Sequence, residues 1–550
     1  MSSVARGYAP PVPEDNRAGG RVPSRWSTRA AGGSRLPVLV ALAAGLIAAA
    51  SLTPVGYLVL REGFSLSLLR HELSSPSTLP LIRNTLVLVG TVCGFCVGLG
   101  VGLAVLVVRT NLPCRRMWIV LFTMPLAVPG FVSSYTWVAA SFRFFPTSTA
   151  IDGLGGATLI LGLGLFPYVF VPTVAALREV DATQEEVARS LGRSGWRVFW
   201  TVTAPQLRVA VAAGTLIIAL HVFAEFGGLQ LLRYQTLTTA IVQRITVLGA
   251  PESARALSVV LVGGSVLLLG AERLARGRRR RIRIGRGVTR TPVAWRLRWS
   301  MPIWVALAGG VCALALGVPG YVSVAGITDA LHGTGVSAGV DWVALGDAAA
   351  TSTKLAGLAA LAATLAALPL SWLTARHPGP FSTATERAVW TAHSLPGVIL
   401  ALALVYLGVH WLRPLYQSST MLVAAYVILF LPLAVGAQHV GLRAATRDYD
   451  DVAHSLGHGP LRTLGRVTLP LASPGIAAGA LFVLLDVEKE LTTTLLMRPT
   501  GTSTLATALW QTTNGESLDY TAAAPYGIAL ILIGVAPAYL LARRALRALR

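Results

Sequence analysis

Two polar segments with the same order of residues lie 265 positions apart in an otherwise apolar chain. The first starts EEVARSLG at Glu185 and the second starts DDVAHSLG at Asp450, and 12 of 30 aligned positions are identical. Acid, glycine and proline at fixed offsets can set the shape of a loop. No H-E-x-x-H motif occurs, and the nine His residues are scattered without the spacing of metal ligands. The repeat therefore indicates a duplicated structural unit rather than an enzyme active site.

Each repeated segment predicts a bent pair of short helices. In the first copy, Glu186 to Leu191 favours a helix with acid in its first turn. Gly192 supplies the turn, and a second amphipathic stretch, Trp196 to Thr203, runs up to Pro205. Asp451, Gly457 and Pro470 repeat this plan in the second copy.

Composition places the loops in a membrane protein. Mean hydropathy is +0.63 and only 13% of the residues are charged, a balance typical of integral membrane proteins. We expect an all-α fold with about 12 transmembrane helices in two homologous six-helix halves. Apolar windows long enough to cross a bilayer lie near residues 36–60, 84–108, 117–140, 154–177, 209–232, 256–272, 301–324, 346–374, 386–412, 420–440, 475–497 and 524–543.

The positive charges predict the orientation of the chain. The net charge is +22, but the Arg residues cluster at the ends of apolar runs, which argues against nucleic-acid binding. If both termini are cytoplasmic, 35 of the 46 Lys and Arg residues fall on the inner face. The positive-inside rule favours this arrangement, and we expect a multi-pass protein of a bacterial plasma membrane.

The same patterns divide the chain into segments. We expect residues 1–35 to be a disordered basic cytoplasmic arm and residues 544–550 a basic cytoplasmic tail. The first half should span 36–272 and the second half 301–543. Between them, 273–300 is an Arg-rich cytoplasmic linker, whose basic run from Arg276 to Arg283 suits lipid headgroups.

Residues outside the loops also recur between the halves. Pro129-Gly130 matches Pro396-Gly397 and Arg109 matches Arg376 at a spacing of 267, while Glu225 matches Glu490 at 265. An even number of spans separates the copies, so the two halves should have parallel orientation.

Five ionisable residues fall in or at the outer edge of predicted spans: Glu225, Asp486, Glu488, Lys489 and Glu490. Such groups are costly in lipid unless they line a path or pair with one another. They could face the translocation path or its gate, or Lys489 could neutralise a neighbouring acid, or the group could lie at the headgroups. His221 is interpreted as a packed or hydrogen-bonded residue rather than an iron ligand.

The repeated segments resemble the EAA loop of the membrane subunits of binding-protein-dependent ABC importers. The matching residues are Glu186, Val187, Ala188, Gly192, Val202 and Pro205 in the first copy and Asp451, Val452, Ala453, Gly457, Val467 and Pro470 in the second. The resemblance implies a type I importer permease fold, two copies of an ABC ATPase docked on the two loops, and an extracytoplasmic solute-binding protein. The chain has only two lysines, Lys354 and Lys489, and neither stands in a phosphate-binding G-x-x-x-x-G-K motif. ATP would therefore be used by the partner subunit, and no cofactor is expected in this chain.

A second resemblance concerns the cargo. The run KELTTTLLMRPTGTSTLATALWQ from Lys489 is similar to a stretch of fused ferric-iron importer permeases, and AEFGG from Ala224 fits the same subfamily. This implies import of ferric iron delivered by the binding protein. Fused thiamine permeases share the two-half build, and a proton-coupled secondary transporter would share the span count, so both stay open as alternatives.

Overall fold

The computed structural model describes residues 38–60, 66–145, 151–180, 182–276, 295–333, 339–393, 395–514 and 520–547. The predicted arm at 1–35 and the Arg run at 277–294 therefore lie outside the described residues. Within the described ranges the chain is helical and forms no β-strand, only one isolated bridge between Thr110 and Trp295.

The first half contains fourteen described α-helices. They are α1 (Val38–Ser51), α2 (Thr53–Leu60), α3 (Leu66–Ser74), α4 (Thr78–Arg109), α5 (Arg115–Thr123), α6 (Gly130–Phe144), α7 (Gly153–Leu165), α8 (Pro167–Glu179), α9 (Ala182–Ser190), α10 (Gly195–Val198), α11 (Ala204–Ala224), α12 (Gly227–Leu231), α13 (Leu237–Thr246) and α14 (Pro251–Arg276). A 3₁₀ turn, Met124–Ala127, follows α5, and a π-helical turn, Phe199–Thr203, precedes α11.

The second half contains twelve described α-helices. They are α15 (Met301–Cys312), α16 (Val318–Leu331), α17 (Trp342–Arg376), α18 (Pro380–His393), α19 (Gly397–His410), α20 (Ser419–Ala444), α21 (Arg447–Ser455), α22 (Pro460–Thr463), α23 (Leu469–Glu488), α24 (Thr492–Met497), α25 (Leu505–Asn514) and α26 (Tyr520–Arg547). Further π-helical turns are Ala313–Gly317 and Leu464–Thr468. Helices α14 and α26 each run about one turn past the half boundaries expected from the sequence.

The two halves match element by element. Helices α4, α8 and α11 pack against one another in the first half, and α17, α20 and α23 do so in the second. The loop helices α9 and α21, the short helices α12 and α24, and the final helices α14 and α26 occupy equivalent places in the order. The duplication read from the sequence is therefore a duplication of structure.

The number of candidate spans is slightly below the expected twelve. Eight described helices are long and apolar enough to cross a membrane, and eleven spans result if each of three bent helix pairs counts as one. The remaining window, 36–60, is divided into α1 and α2 at Leu52, and Pro54 begins the second piece. Two other windows end early: the fifth span stops at Ala224 and the eleventh at Glu488, where short helices take over.

Two predicted straight spans are sharply bent at the repeated Pro-Gly pairs. The helical segments on either side of Pro129 meet at 93°, and those on either side of Pro396 at 101°. Val128, before the first proline, has an extended backbone, because the proline ring disfavours helix in the preceding residue. The glycine then begins the next helix, so each Pro-Gly pair ends one helical segment and begins another.

The halves interlock through their first helices. Helix α1 packs against α17 and α18 of the second half, while α16 packs against α6 of the first half. Helix α26 reaches the 3₁₀ turn Met124–Ala127, where a Cβ added at Gly534 would lie 2.3 Å from the Ala127 carbonyl oxygen. The two halves thus form a shared interior rather than two separate bundles.

Small residues allow the closest helix approach in the second half. A Cβ added at Gly475 of α23 would lie 2.7 Å from the Cα atom of Gly441 in α20. Membrane helices commonly use such residues, because dispersion contacts between close backbones replace the hydrophobic effect.

We expect Gly475→Ala to destabilise the protein by about 1–3 kcal/mol, since the new methyl group would press on backbone that cannot move aside. The matched control is Gly357→Ala in α17, where an added Cβ meets nothing within 4 Å. Thermal unfolding of detergent-solubilised protein measures both. Equal melting temperatures for the two variants would contradict the close-packing explanation.

Candidate coupling loops and pathway residues

Both predicted loops begin with a short helix that ends at a glycine of positive φ. Helix α9 ends at Ser190 and Gly192 has φ +78°, while α21 ends at Ser455 and Gly457 has φ +82°. Glycine adopts this left-handed conformation without strain. The predicted turns are confirmed at both positions.

The second part of each loop differs from the expected separate helix. Residues 195–224 run through α10, a π-helical turn and α11 as one continuous helical segment. Pro205 lies inside this segment, just after the π-helical turn, and because it has no N–H the segment lacks one intrahelical hydrogen bond there. The second copy has the same π-helical turn before Pro470. Each loop is thus one short helix, a glycine turn and the entry of a long helix, so the expectation of two short helices was wrong.

The loop residues expected to contact a partner divide into exposed and buried sets. Glu186 and Asp451 are exposed, as are the glycines at 192 and 457. Ala188 and Ala453 are buried and hold each short helix against the protein. Large apolar side chains around the turn are exposed: Val187, Leu191, Trp196 and Trp200 in the first loop, and Tyr449, Val452 and Leu456 in the second.

A buried ion pair anchors the first loop. Arg109 ends α4 and donates from Nη1 and Nη2 to the two carboxylate oxygens of Glu185, at 3.0 and 2.8 Å. The Thr203 hydroxyl donates to Glu185 Oε1 at 2.6 Å. The Arg109 and Glu185 side chains are 4% and 5% exposed. We call these three residues the first latch.

The second loop has an equivalent anchor of Arg376, Asp450 and Thr468, the second latch. Arg376 Nη2 lies 2.8 Å from Asp450 Oδ2, and the Thr468 hydroxyl donates to Asp450 Oδ1 at 2.8 Å. Arg109 and Arg376 are matched across the repeat in the sequence, whereas the pattern of residues alone predicts no role for Glu185 or Asp450. The signal was present, because arginine, acid and threonine all recur at nearly the same spacing.

The end of the linker docks beside the first latch. The Trp295 N–H donates to the Arg109 carbonyl oxygen at 2.7 Å, and the Asn111 N–H donates to the Trp295 carbonyl oxygen at 3.3 Å. The indole ring packs edge-on to Phe199 with ring centroids 6.3 Å apart. Residues 295–297 of the expected linker therefore pack against the first half, and residues 298–300 begin the helical segment that continues into α15.

Glu225 and Glu490 occupy equivalent places at the bends. Glu225 accepts a hydrogen bond from the Gly228 N–H at 2.9 Å, and Glu490 accepts one from the Thr493 N–H at 2.8 Å. Each acid thus caps the short helix that follows it, α12 or α24. A Cβ added at Gly130 would lie 3.2 Å from Glu225 Oε2, and one at Gly397 would lie 3.0 Å from Glu490 Oε1. Both acids therefore lie against the glycines that restart the bent spans.

Lys489 connects the two halves, and among the described residues it has no salt bridge to an acid side chain. Its Nζ donates to the carbonyl oxygen of Leu126, in the 3₁₀ turn of the first half. The equivalent position in the first half is Ala224, so this contact has no counterpart there.

Two further polar residues, His221 and Glu488, differ from each other in their hydrogen bonding. His221 has two hydrogen-bond contacts, to the Tyr168 hydroxyl at 3.3 Å and to the Ile217 carbonyl oxygen at 3.0 Å. Glu488 is buried, and neither of its carboxylate oxygens has a hydrogen-bond partner among the described residues. No group of three or more His, Cys, Asp or Glu residues in the described part of the chain could hold a metal ion.

Comparison with known proteins assigns the duplicated architecture to a family. The family model described as "Binding-protein-dependent transport system inner membrane component" matches residues 94–283 and again residues 367–549. The chain belongs to this family. One match falls in each half, so the protein is an ABC importer permease with both halves fused in one chain.

Individual relatives point to a narrower group. The permease is 32% identical over 473 residues to the Fe(3+)-transport system permease protein FbpB 2 of Haemophilus influenzae, covering 86% of this chain and 91% of that protein. It is 30% identical over 143 residues to the molybdenum transport system permease protein ModB of Escherichia coli, covering 24% of this chain and 62% of that protein. Similarity along nearly the whole length is thus found with a two-half iron permease.

For the permease's acids near the bends, we expect Glu490→Ala to lower stability by about 0.5–2 kcal/mol, because the Thr493 N–H in the first turn of α24 loses its acceptor. The matched change Glu488→Ala removes a buried carboxylate that gains no hydrogen bond, and should not lower stability. Thermal unfolding in detergent compares the two. A larger loss for Glu488→Ala than for Glu490→Ala would contradict these roles.

Proposed function

We propose that the permease carries ferric iron inward and that each loop seats one subunit of a separate ABC ATPase. The observation that carries the coupling role is the presence of two loops of the same shape, each displaying exposed apolar side chains beside an exposed acid. Leu191 is 75% exposed and Leu456 is 73% exposed. Apolar side chains presented on a short helix suit a groove on a partner protein.

Both loops must lie on the same face for this role. The acids of the two loops bind Arg109 and Arg376, which end the equivalent helices α4 and α17. Most of the Lys and Arg residues fall on this side of the predicted spans. Under the positive-inside rule this face is cytoplasmic, where ATP is available. The opposite face would then receive the substrate from an extracytoplasmic binding protein.

Iron is the substrate we propose because the full-length relative is an Fe(3+)-transport permease. In the described residues the permease has no built metal cluster, so selection for iron is assigned to the binding protein. The permease would provide a gated path rather than a high-affinity site.

The deciding experiment reconstitutes the permease in proteoliposomes with the ATPase and binding protein encoded in its own genome. We expect ATP hydrolysis to rise when the binding protein carries ferric iron, and labelled iron to accumulate inside. Stimulation by thiamine-loaded protein in place of iron would favour the thiamine alternative. Iron uptake without the ATPase would contradict the importer assignment.

The glycine turns supply a second prediction. Gly192→Asp and Gly457→Asp should each abolish uptake, because a side chain at positive φ strains the turn and displaces the docking surface. Membrane insertion should survive, since neither glycine is packed against other residues. Uptake assays and membrane immunoblots measure the two effects separately.

The control for these variants is Gly379→Asp. Gly379 lies between Arg376, the last residue of α17, and the start of α18. A Cβ added at Gly379 meets nothing within 4 Å. Its φ is outside the positive range, and an acid before a helix is favourable. Normal uptake in both turn variants, or equal loss in the control, would count against the coupling role.

A further inference from the structure

The two latches connect the same three parts of each half. In the first, Arg109 is the last residue of α4, Glu185 lies in the loop helix α9, and Thr203 ends the π-helical turn before α11. One carboxylate therefore ties together a long packed helix, the loop helix and the entry of the next long helix. The second latch joins α17, α21 and the π-helical turn before α23 in the same way.

A buried ion pair of this kind fixes geometry rather than adding much stability. Removing two charges from water costs several kcal/mol, and the pair recovers this only when the hydrogen bonds are well formed. Arginine binds a carboxylate through two parallel N–H bonds, which sets both distance and orientation. The latch thus restricts how α9 can rotate relative to α4.

The two latches are unequal. Glu185 accepts hydrogen bonds from both terminal nitrogens of Arg109, is 5% exposed, and lines the same small cavity as Trp295. Asp450 is 20% exposed, and Arg376 Nη2 also donates to the Ala445 carbonyl oxygen at 2.8 Å. Among the described residues, no linker segment covers the second latch as Trp295 covers the first.

We propose that the two latches are the positioning residues that transmit movement of each coupling loop to its long helix, and that the first, covered by Trp295, is the stiffer connection. This inference rests on the proposed coupling function. A stiff connection passes a displacement on, whereas a compliant one absorbs part of it within the loop. The first loop would therefore contribute more to opening and closing the path than the second.

The test measures transport and ATP hydrolysis in the same proteoliposomes. Glu185→Gln keeps the shape of the side chain but removes the charge that aligns Arg109. We expect the ATPase to remain bound and active while iron carried per ATP hydrolysed falls by about tenfold, because the buried arginine loses the charge that holds it. Asp450→Asn should cause a smaller loss. A purely structural role would lower the amount of assembled complex and leave this ratio unchanged.

Two controls isolate the latch. Arg189→Gln removes a more distant contact to the same carboxylate, 3.9 Å away at the surface, and should leave the ratio unchanged. The exchanged pair Arg109→Glu with Glu185→Arg should recover at least part of the coupling lost in each single variant. An unchanged ratio in Glu185→Gln, or no recovery in the exchanged pair, would overturn the transmission role.

Three further variants test the difference between the two latches. They also test the transmission role if Glu185→Gln fails to assemble. Thr203→Val and Thr468→Val each remove one hydrogen bond without changing shape, and Trp295→Ala removes the cover of the first latch. We expect Thr203→Val to lower the iron carried per ATP hydrolysed more than Thr468→Val does. Trp295→Ala should also lower this ratio measurably. Equal effects at the two threonines, or none at Trp295, would overturn the proposed difference.

The wild-type protein separates this inference from the proposed function. If it neither binds the ATPase nor stimulates hydrolysis, the coupling function itself fails. If the wild type couples normally and the latch variants match it, only the inference about the latches fails.

Discussion

The constraint on which this structure depends is that lipid supplies no hydrogen bonds. Backbone groups within the spans must find partners inside the protein, and charges there are costly without one. The chain interrupts its helices at Pro129-Gly130 and Pro396-Gly397, and an acid lies against each interruption. Each acid accepts a hydrogen bond from the first turn of a short helix, so a side chain supplies a backbone partner beside each bend.

The same constraint bears on how the two repeated loops are held. Exposed ion pairs would fix them weakly, because water and salt reduce such pairs to about 1 kcal/mol or less. At Arg109 and Arg376 the charges are instead buried where the loop meets the long helix. The π-helical turns place a threonine hydroxyl on the same carboxylate, in line with the frequent occurrence of such turns at functional sites.

Much of this arrangement could be predicted from the sequence, because the duplication repeats each of its main features in both halves. The two halves, the glycine turns and the Pro-Gly pairs were all found by comparing the copies. The choice between Glu185 and Glu186 could not be made in this way, since both are acids and both are matched by aspartate. Only the three-dimensional position of Arg109 shows that the first is buried and the second exposed. The hydropathy windows predicted straight spans where the structure has bends, because they give the length of an apolar segment but not the direction of its helix.

A comparison of the two halves cannot find features that occur only once. Such features lie where the halves differ. Lys489 bridges to the first half where the equivalent residue is Ala224, and Trp295 covers one latch from a linker that exists only because the halves are joined. A permease assembled from two identical subunits would carry both features twice or not at all. Fusion removes that symmetry requirement, so each half of this chain can hold a different side chain at the same place in the fold. The unequal latches are therefore a structural consequence of joining the two copies.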